Sequence, residues 1–171
     1  MSPEIEYLTR PETPTDRERI REVTIAAFGR SDEADLVDAL RHDPAWIDGL
    51  SLVATTGDDT VVAHALLTRC HIDAVEALCL APCSMLPDYQ RTGAGTAAIS
   101  AALAAAADAD ESFVVVLGHP RYYPRFGFHR AADHGIHLGI DVPPEALMMR
   151  SLRPGALPPA GLVRYAAPFG I

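Results

Sequence analysis

The pattern of apolar and polar positions changes period several times along the 171-residue chain, and each change marks an element. Residues 5–10, "IEYLTR", alternate as a first strand. Pro14, Thr15 and Asp16 supply turn and capping chemistry, after which Ile20, Val23, Ala27 and Phe28 recur at helical spacing. A second helix is predicted within 31–43, with Ser31 or Asp32 as its cap, Leu36, Val37 and Leu40 on one face, and Pro44 beyond its end. The period then falls to two. "LSLVATT", "GDD" and "TVVAHALLTRCHI" read as two strands joined by a Gly/Asp turn, and "VEALCLAPCSMLP" as a third. Pro82 lies inside that third strand and cannot donate a ladder hydrogen bond, which predicts a bulge or an edge there.

A turn with two glycines follows, and then an alanine-rich run, 93–110, that favours helix. "SFVVVLGHP" is a continuous apolar run, the mark of a strand buried on both faces. After it come "RYYPRFGFHRA" as a loop or short turn, and two short strands in "ALMMRSL" and "GLVRYAAPF". The order is an antiparallel meander preceding one β-α-β crossover. The expected fold class is therefore α/β, a mixed and mostly antiparallel sheet flanked by helices, in one domain spanning 1–171.

Composition narrows the function. The 49% hydrophobic and 22% charged content is that of a folded globular chain. No apolar run is long enough for a membrane span and the N-terminal stretch has no signal-peptide character, so a cytoplasmic protein without membrane attachment is expected. The net charge of −9 disfavours nucleic acid as a partner and favours a cationic substrate such as an amine. Cys70, Cys79 and Cys83 form neither a CxxC nor a Cys/His pair at zinc spacing; no metal site is expected, and the three read as buried small hydrophobes.

The chemistry concentrates in "LPDYQRTGAGTAA", residues 86–98. Free amides and the positive dipole end at a helix N-terminus suit an anion, and Gly93 and Gly95 allow a sharp turn and close approach. Two phosphate loops fail here. No lysine follows the glycines, which excludes a Walker loop. "GAGTAA" fits the dinucleotide fingerprint, but it stands too far from the strand, and the next strand ends without a ribose-binding acid.

"QRTGAG", Gln90 to Gly95, matches the [Q/R]-x-x-G-x-[G/A] signature of the GNAT superfamily of acyl-CoA-dependent N-acetyltransferases. "YPRFGF", Tyr123 to Phe128, is similar to that family's later Tyr-x-[Lys/Arg]-x-Gly-Phe segment, and the element order agrees. Nearly the whole chain resembles the bacterial YhbS-like branch, although Ala63 stands where that branch usually has glycine and His119 where it often has aspartate.

The resemblance implies acetyl-CoA as co-substrate and a primary amine, on a small molecule or a protein, as acceptor, joined by direct attack through a tetrahedral intermediate. It implies that the backbone at Met85 and Leu86 pairs with the pantetheine arm. Gln90, Arg91, Thr92, Gly93, Ala94, Gly95 and Thr96 would then surround the pyrophosphate. Tyr123 aligns with the family's general acid, with Tyr122 as its neighbour. For the general base, Glu76, His71, His119 and a water chain all stand as candidates. The acceptor pocket is expected between residues 29–48 and the segment after Phe128; Trp46 falls in that range, with core packing as its favoured role over pocket lining. Dimers are common in the family, so a homodimer is compatible with the resemblance. A catalytically silent acyl-CoA-binding module is the alternative reading.

Overall fold

The computed structural model describes residues 5–171. Strand β1 (Leu8–Pro11) leads into helices α1 (Arg17–Phe28) and α2 (Asp32–Leu40). The meander is β2 (Ser51–Thr55), β3 (Val61–Ile72) and β4 (Val75–Met85). Helix α3 (Ala94–Asp108) crosses to β5 (Phe113–Leu117), and β6 (His129–Arg130), β7 (Ile136–His137), β8 (Leu147–Ser151) and β9 (Gly161–Arg164) complete the chain. The α/β class expected from the sequence is the one observed.

Two local expectations shift. The first strand is Leu8–Pro11 rather than 5–10, because it pairs with β2 from Leu8↔Thr55 to Pro11↔Leu52 and the chain turns away beyond Thr55. Ser31 occupies the N-cap position of α2 but makes no side-chain capping bond; Asp32, Glu33 and Asp35 instead place negative charge in the first turn, where the helix dipole favours it.

The main sheet runs β1-β2-β3-β4-β5-β8-β6, with β9 beside the end of β3 and paired to β7. Along the main path only β4 and β5 are parallel, as the α3 crossover requires. The proline signal is met by a bulge: Ala65 pairs with Cys83 and Leu67 with Leu80, so Ala81 and Pro82 together face Leu66. Strands β4 and β5 pair only at Leu78↔Val114 and Cys79↔Val115. Beyond Cys79 they diverge while β5 stays paired to β8, opening a split at the C-terminal end of β4.

Alternation along the strands sets what covers each face. Leu78, Leu80, Val114 and Val116 meet α3, whose Ala94, Ala98, Ala102 and Ala106 recur every four residues and are buried. Small side chains at that spacing bring the helix backbone close to the sheet. On the other face Ile20 and Val23 of α1 pack on Val53 and Val61, and Val37 and Leu40 of α2 on Leu66. The C-terminal segment covers Cys79, Val115 and Met149 through Ala131, Ile136 and Val163. Both ends of the split are thereby fixed by packed cores.

Candidate active site

The glycine turn is built around hydrogen bonds that use up its first residues and free its last ones. Leu86 donates its amide to the Val62 carbonyl at 2.9 Å and accepts from the Tyr89 amide at 2.9 Å. Its backbone is thus committed to the fold. Thr92 locks the turn from inside: its hydroxyl donates to the Tyr89 carbonyl at 2.5 Å and accepts from the Tyr7 hydroxyl at 2.5 Å. Arg91 at φ +62° and Gly93 at φ +94° take left-handed conformations that swing the chain into α3. Among the described residues, the amides of Arg91, Gly93, Ala94, Gly95 and Thr96 have no backbone acceptor. They converge at the positive end of a 15-residue helix, which is the physical requirement for an anion seat.

A cavity of about 410 Å³ opens against this turn, lined by Met85, Gln90, Arg91, Gly93, Gly95 and Thr96, with Tyr122 and Arg125 opposite. Of the residues expected at the pyrophosphate, Thr92 and Ala94 do not line it, the first because it braces the turn and the second because it is buried under the helix. Arg125 adds a cation beside Arg91. Its guanidinium stacks 4.3 Å from the Tyr122 ring centroid and its Nε donates to the Tyr122 carbonyl at 2.9 Å. Gly95 leaves room for the end of Met85: a Cβ there would overlap the Met85 methyl and stand 3.4 Å from the Tyr122 hydroxyl.

A second cavity, of about 220 Å³, adjoins the first across Met85, Gln90, Gly95 and Tyr122 and lies against the C-terminal end of β4, past the last residues that pair with β5. Tyr123 lines it from one side, resting against Gly118 so closely that any side chain there would strike the ring. Edge contacts with Tyr122, at 5.1 Å, and Phe128, at 6.0 Å, fix the ring's position. Burial pushes the Tyr123 hydroxyl well above the ordinary tyrosine range, and the neighbouring Cys83 thiol adds to the shift. The phenol keeps its proton at neutral pH and is a donor. Cys83 itself is pushed up to about 12, chiefly by burial, and so stays a thiol. Cys70 and Cys79 sit in the core as expected, but Cys83 is only partly buried and lines this cavity.

Known proteins place this geometry in a family. No protein-family model matches the chain. The uncharacterized N-acetyltransferase YjhQ of Escherichia coli K12 is 36% identical over 162 residues, covering 90% of this chain and 89% of that protein. The chain belongs to the GNAT N-acetyltransferases. A crystal structure of the GNAT family N-acetyltransferase YhbS from Escherichia coli, in complex with CoA, superposes with a TM-score of 0.90 at 27% identity, covering 100% of this chain and 96% of that one. A GNAT family acetyltransferase from Brucella melitensis in complex with acetyl-CoA is 33% identical, covers 96% and 98% of the two chains, and has a TM-score of 0.79.

Within this GNAT enzyme, none of the side chains expected as general base lines either cavity. Glu76 is exposed at the start of β4, 4.0 Å from Arg69. His71 pairs with Glu76 and Arg164 at the far end of β3, and His119 is exposed, accepting from the Arg121 amide at 3.2 Å. Trp46 packs with α2 and beneath Arg41, 5.6 Å from its guanidinium, in the core role favoured for it. The second cavity is instead walled on the α1 side by Ala27, Phe28, His64 and Ser84. In the sequence Ala27 and Phe28 stand out only for their helical spacing, and His64 and Ser84 not at all. A lone histidine in "VVAHALL" was the available signal.

Proposed function

We propose that this GNAT enzyme transfers an acetyl group from acetyl-CoA to a primary amine of a small molecule or protein, with residues 1–171 working as one domain. The observation that carries the reading is the set of unpaired amides at the start of α3, flanked by Arg91 and Arg125, facing a cavity that adjoins a second one holding Tyr123. The amides and arginines suit a pyrophosphate. Beyond Cys79 the unpaired edge of β4 suits the amide-bearing arm that must run from that seat toward Tyr123. Two related enzymes crystallised with CoA or acetyl-CoA support the same donor here.

In the reaction the neutral amine attacks the thioester carbon, a C–N bond forms, and the tetrahedral oxyanion collapses with cleavage of the C–S bond. Tyr123 donates its hydroxyl proton to the leaving sulfur and regains one from solvent after CoA departs. Its buried, protonated state fits that role. The net charge of −9 favours a cationic acceptor arriving from solution.

The test is CoA release from acetyl-CoA across a panel of polyamines, aminoglycosides, amino acids and peptides, followed by Tyr123→Phe on any amine that responds. The variant should lose about 10²-fold or more in kcat, the usual contribution of a positioned acid, while binding acetyl-CoA normally. Unchanged turnover in Tyr123→Phe removes Tyr123 from the role. Silence across the whole panel with acetyl-CoA bound favours the binding-module alternative.

A further inference from the structure

The α1 side of the second cavity holds a buried polar chain that plays no part in the donor seat. His64 is 1% exposed and lines the cavity, opposite Ser84 in the β3–β4 ladder. Its Nε2 lies 2.7 Å from the Ser51 hydroxyl, and that hydroxyl donates to the Glu12 carboxylate. Glu12 is in turn held by Arg41 at 3.2 Å, both side chains being almost fully buried. These bonds fix every proton in the chain. A carboxylate only accepts, so Ser51 spends its single hydrogen on Glu12 and its oxygen must accept from His64. His64 therefore carries its proton on Nε2, and Nδ1 presents a bare lone pair. That Nδ1 has no hydrogen-bond partner although it is buried.

A buried acceptor with no partner, on a side chain that borders a cavity, is costly unless a donor comes to meet it. Resting on the acetyl-transfer reading above, we infer that His64 takes the proton of the acceptor amine and relays it through Ser51 to Glu12, with Arg41 positioning that carboxylate. As the amine nitrogen bonds to the thioester carbon, its N–H proton passes to Nδ1 of His64. The Nε2 proton moves to Ser51, and the Ser51 proton moves to Glu12. One proton has travelled from amine to carboxylate, the imidazole is neutral again in its other tautomer, and the sulfur leaves toward Tyr123; once the products depart, the proton returns from Glu12 through Ser51 to Nε2 as Nδ1 gives its own to water, restoring the resting tautomer. Burial, and secondarily the charge of Arg41, hold the free imidazole near a pKa of about 3, so the ring is neutral and its lone pair available throughout the neutral range. Such a ring relays a proton rather than storing it. The base and the acid thus approach the thioester from different elements, His64 from β3 and Tyr123 from the turn after β5.

The experiment has two arms on the full chain. In the first, nitrogen-15 spectra of the CoA-loaded protein should show His64 protonated on Nε2 and bare on Nδ1 from pH 6 to 9, with Ser51→Ala weakening that preference. A protonated Nδ1 overturns the inference whether or not any amine reacts. In the second, His64→Gln keeps an N–H toward Ser51 but lacks Nδ1. With n-butylamine, spermidine and L-lysine methyl ester as acceptors, its kcat should fall about 10²-fold or more, within the range for general-base loss. With hydroxylamine, whose adduct carries a much more acidic N–H that water itself can take, the fall should be under about tenfold. Equal losses with both classes of acceptor mean a structural role, and equal rates in wild type and His64→Gln mean none; either overturns the inference while leaving acetyl transfer intact. A wild type that binds acetyl-CoA yet acetylates neither the amines nor hydroxylamine overturns both readings.

Discussion

Gly95→Ala should raise stability and lower donor affinity, two effects of opposite sign from one methyl group. Gly95 is the second residue of α3 and its φ lies outside the left-handed region, so alanine fits the backbone. The helix gains up to ~1 kcal/mol from replacing glycine by alanine, less near the N-terminus. Against that, the new Cβ overlaps the terminal methyl of Met85 and stands 3.5 Å from its sulfur and 3.4 Å from the Tyr122 hydroxyl. Met85 must swing aside, and the space beside it is the pair of cavities of about 410 and 220 Å³ that it lines. A thioether end displaced into that space removes contacts worth one or two methylene groups from a bound donor, about 1–1.5 kcal/mol, or roughly tenfold in Kd.

The two effects separate cleanly in the laboratory. Without ligand, scanning fluorimetry should place the variant's Tm between unchanged and ~3 °C higher, the response of a domain this size to somewhat under 1 kcal/mol. Titration calorimetry with CoA should give a Kd weakened about tenfold. If the Kd stays within twofold, Met85 does not border the donor and the cavity has been misassigned. A Tm lowered by several degrees means that the start of α3 is packed too tightly for Met85 to move, and the reasoning fails at that earlier step.

Other perturbations probe the scaffold and the charge at the seat. The Asp16 carboxyl is gripped by Arg10 at 2.6 and 3.0 Å and by the Thr13 amide at 2.7 Å, and the Arg10 hydrogen bond leads in holding its pKa down to about 2. Because the folded pKa lies below the unfolded one, this stabilisation is complete above about pH 4 and is lost as pH falls toward 2. Asp16→Asn should cost about 2 kcal/mol at pH 7 by denaturant titration, and the difference from wild type should shrink across that acid window. Arg125→Ala removes an exposed cation from the wall of the first cavity, so CoA should bind about three- to tenfold more weakly at low ionic strength, with the gap narrowing in 0.5 M salt. A deficit independent of salt instead points to lost stacking on Tyr122.

The donor side was legible in the sequence because its chemistry is local. Gly93, Gly95 and the alanine run that follows encode turn, close approach and helix within a few residues, and the Tyr123–Phe128 segment carries its own motif. Neither Leu86 nor Thr92 betrays its hydrogen-bond partners in that way. Val62 and Tyr7 come from distant strands and segments, so only the folded chain reveals that these two residues support the turn. The strands β6 and β7, two residues each, exist only because β8 and β9 lie beside them. For the base, residue type points to Glu76, His71 and His119, which line neither cavity. At ~3.3 Å of rise per residue, Glu76 stands roughly 30 Å from Met85 along the same strand. His64 reaches the cavity because it pairs directly across from Ser84, while its partner Ser51 is 13 residues away and Glu12 a further 39.

The two sides of the split are recognised by different means, and the energetics explain why. What the proposed donor side offers is mainly main-chain amides and exposed arginines, which cost the empty protein little because water satisfies them. The α1 side is the opposite case. Glu12 and Arg41 form a buried ion pair, and replacing such a pair by apolar residues is often neutral or stabilising. The unpaired His64 Nδ1 adds a penalty of about 1–3 kcal/mol. Among the described residues Thr68 Oγ1 is the other buried atom left unpaired, but it lines neither cavity, whereas His64 ends a connected chain at the wall of one. A fold selected for stability alone has no use for that chain. Replacing His64, Ser51, Glu12 and Arg41 together by packed apolar residues should therefore give a protein at least as stable as the wild type that still binds CoA. What it should lose is turnover of alkylamines, and a combined variant that retains it would show that the buried chain serves the fold after all.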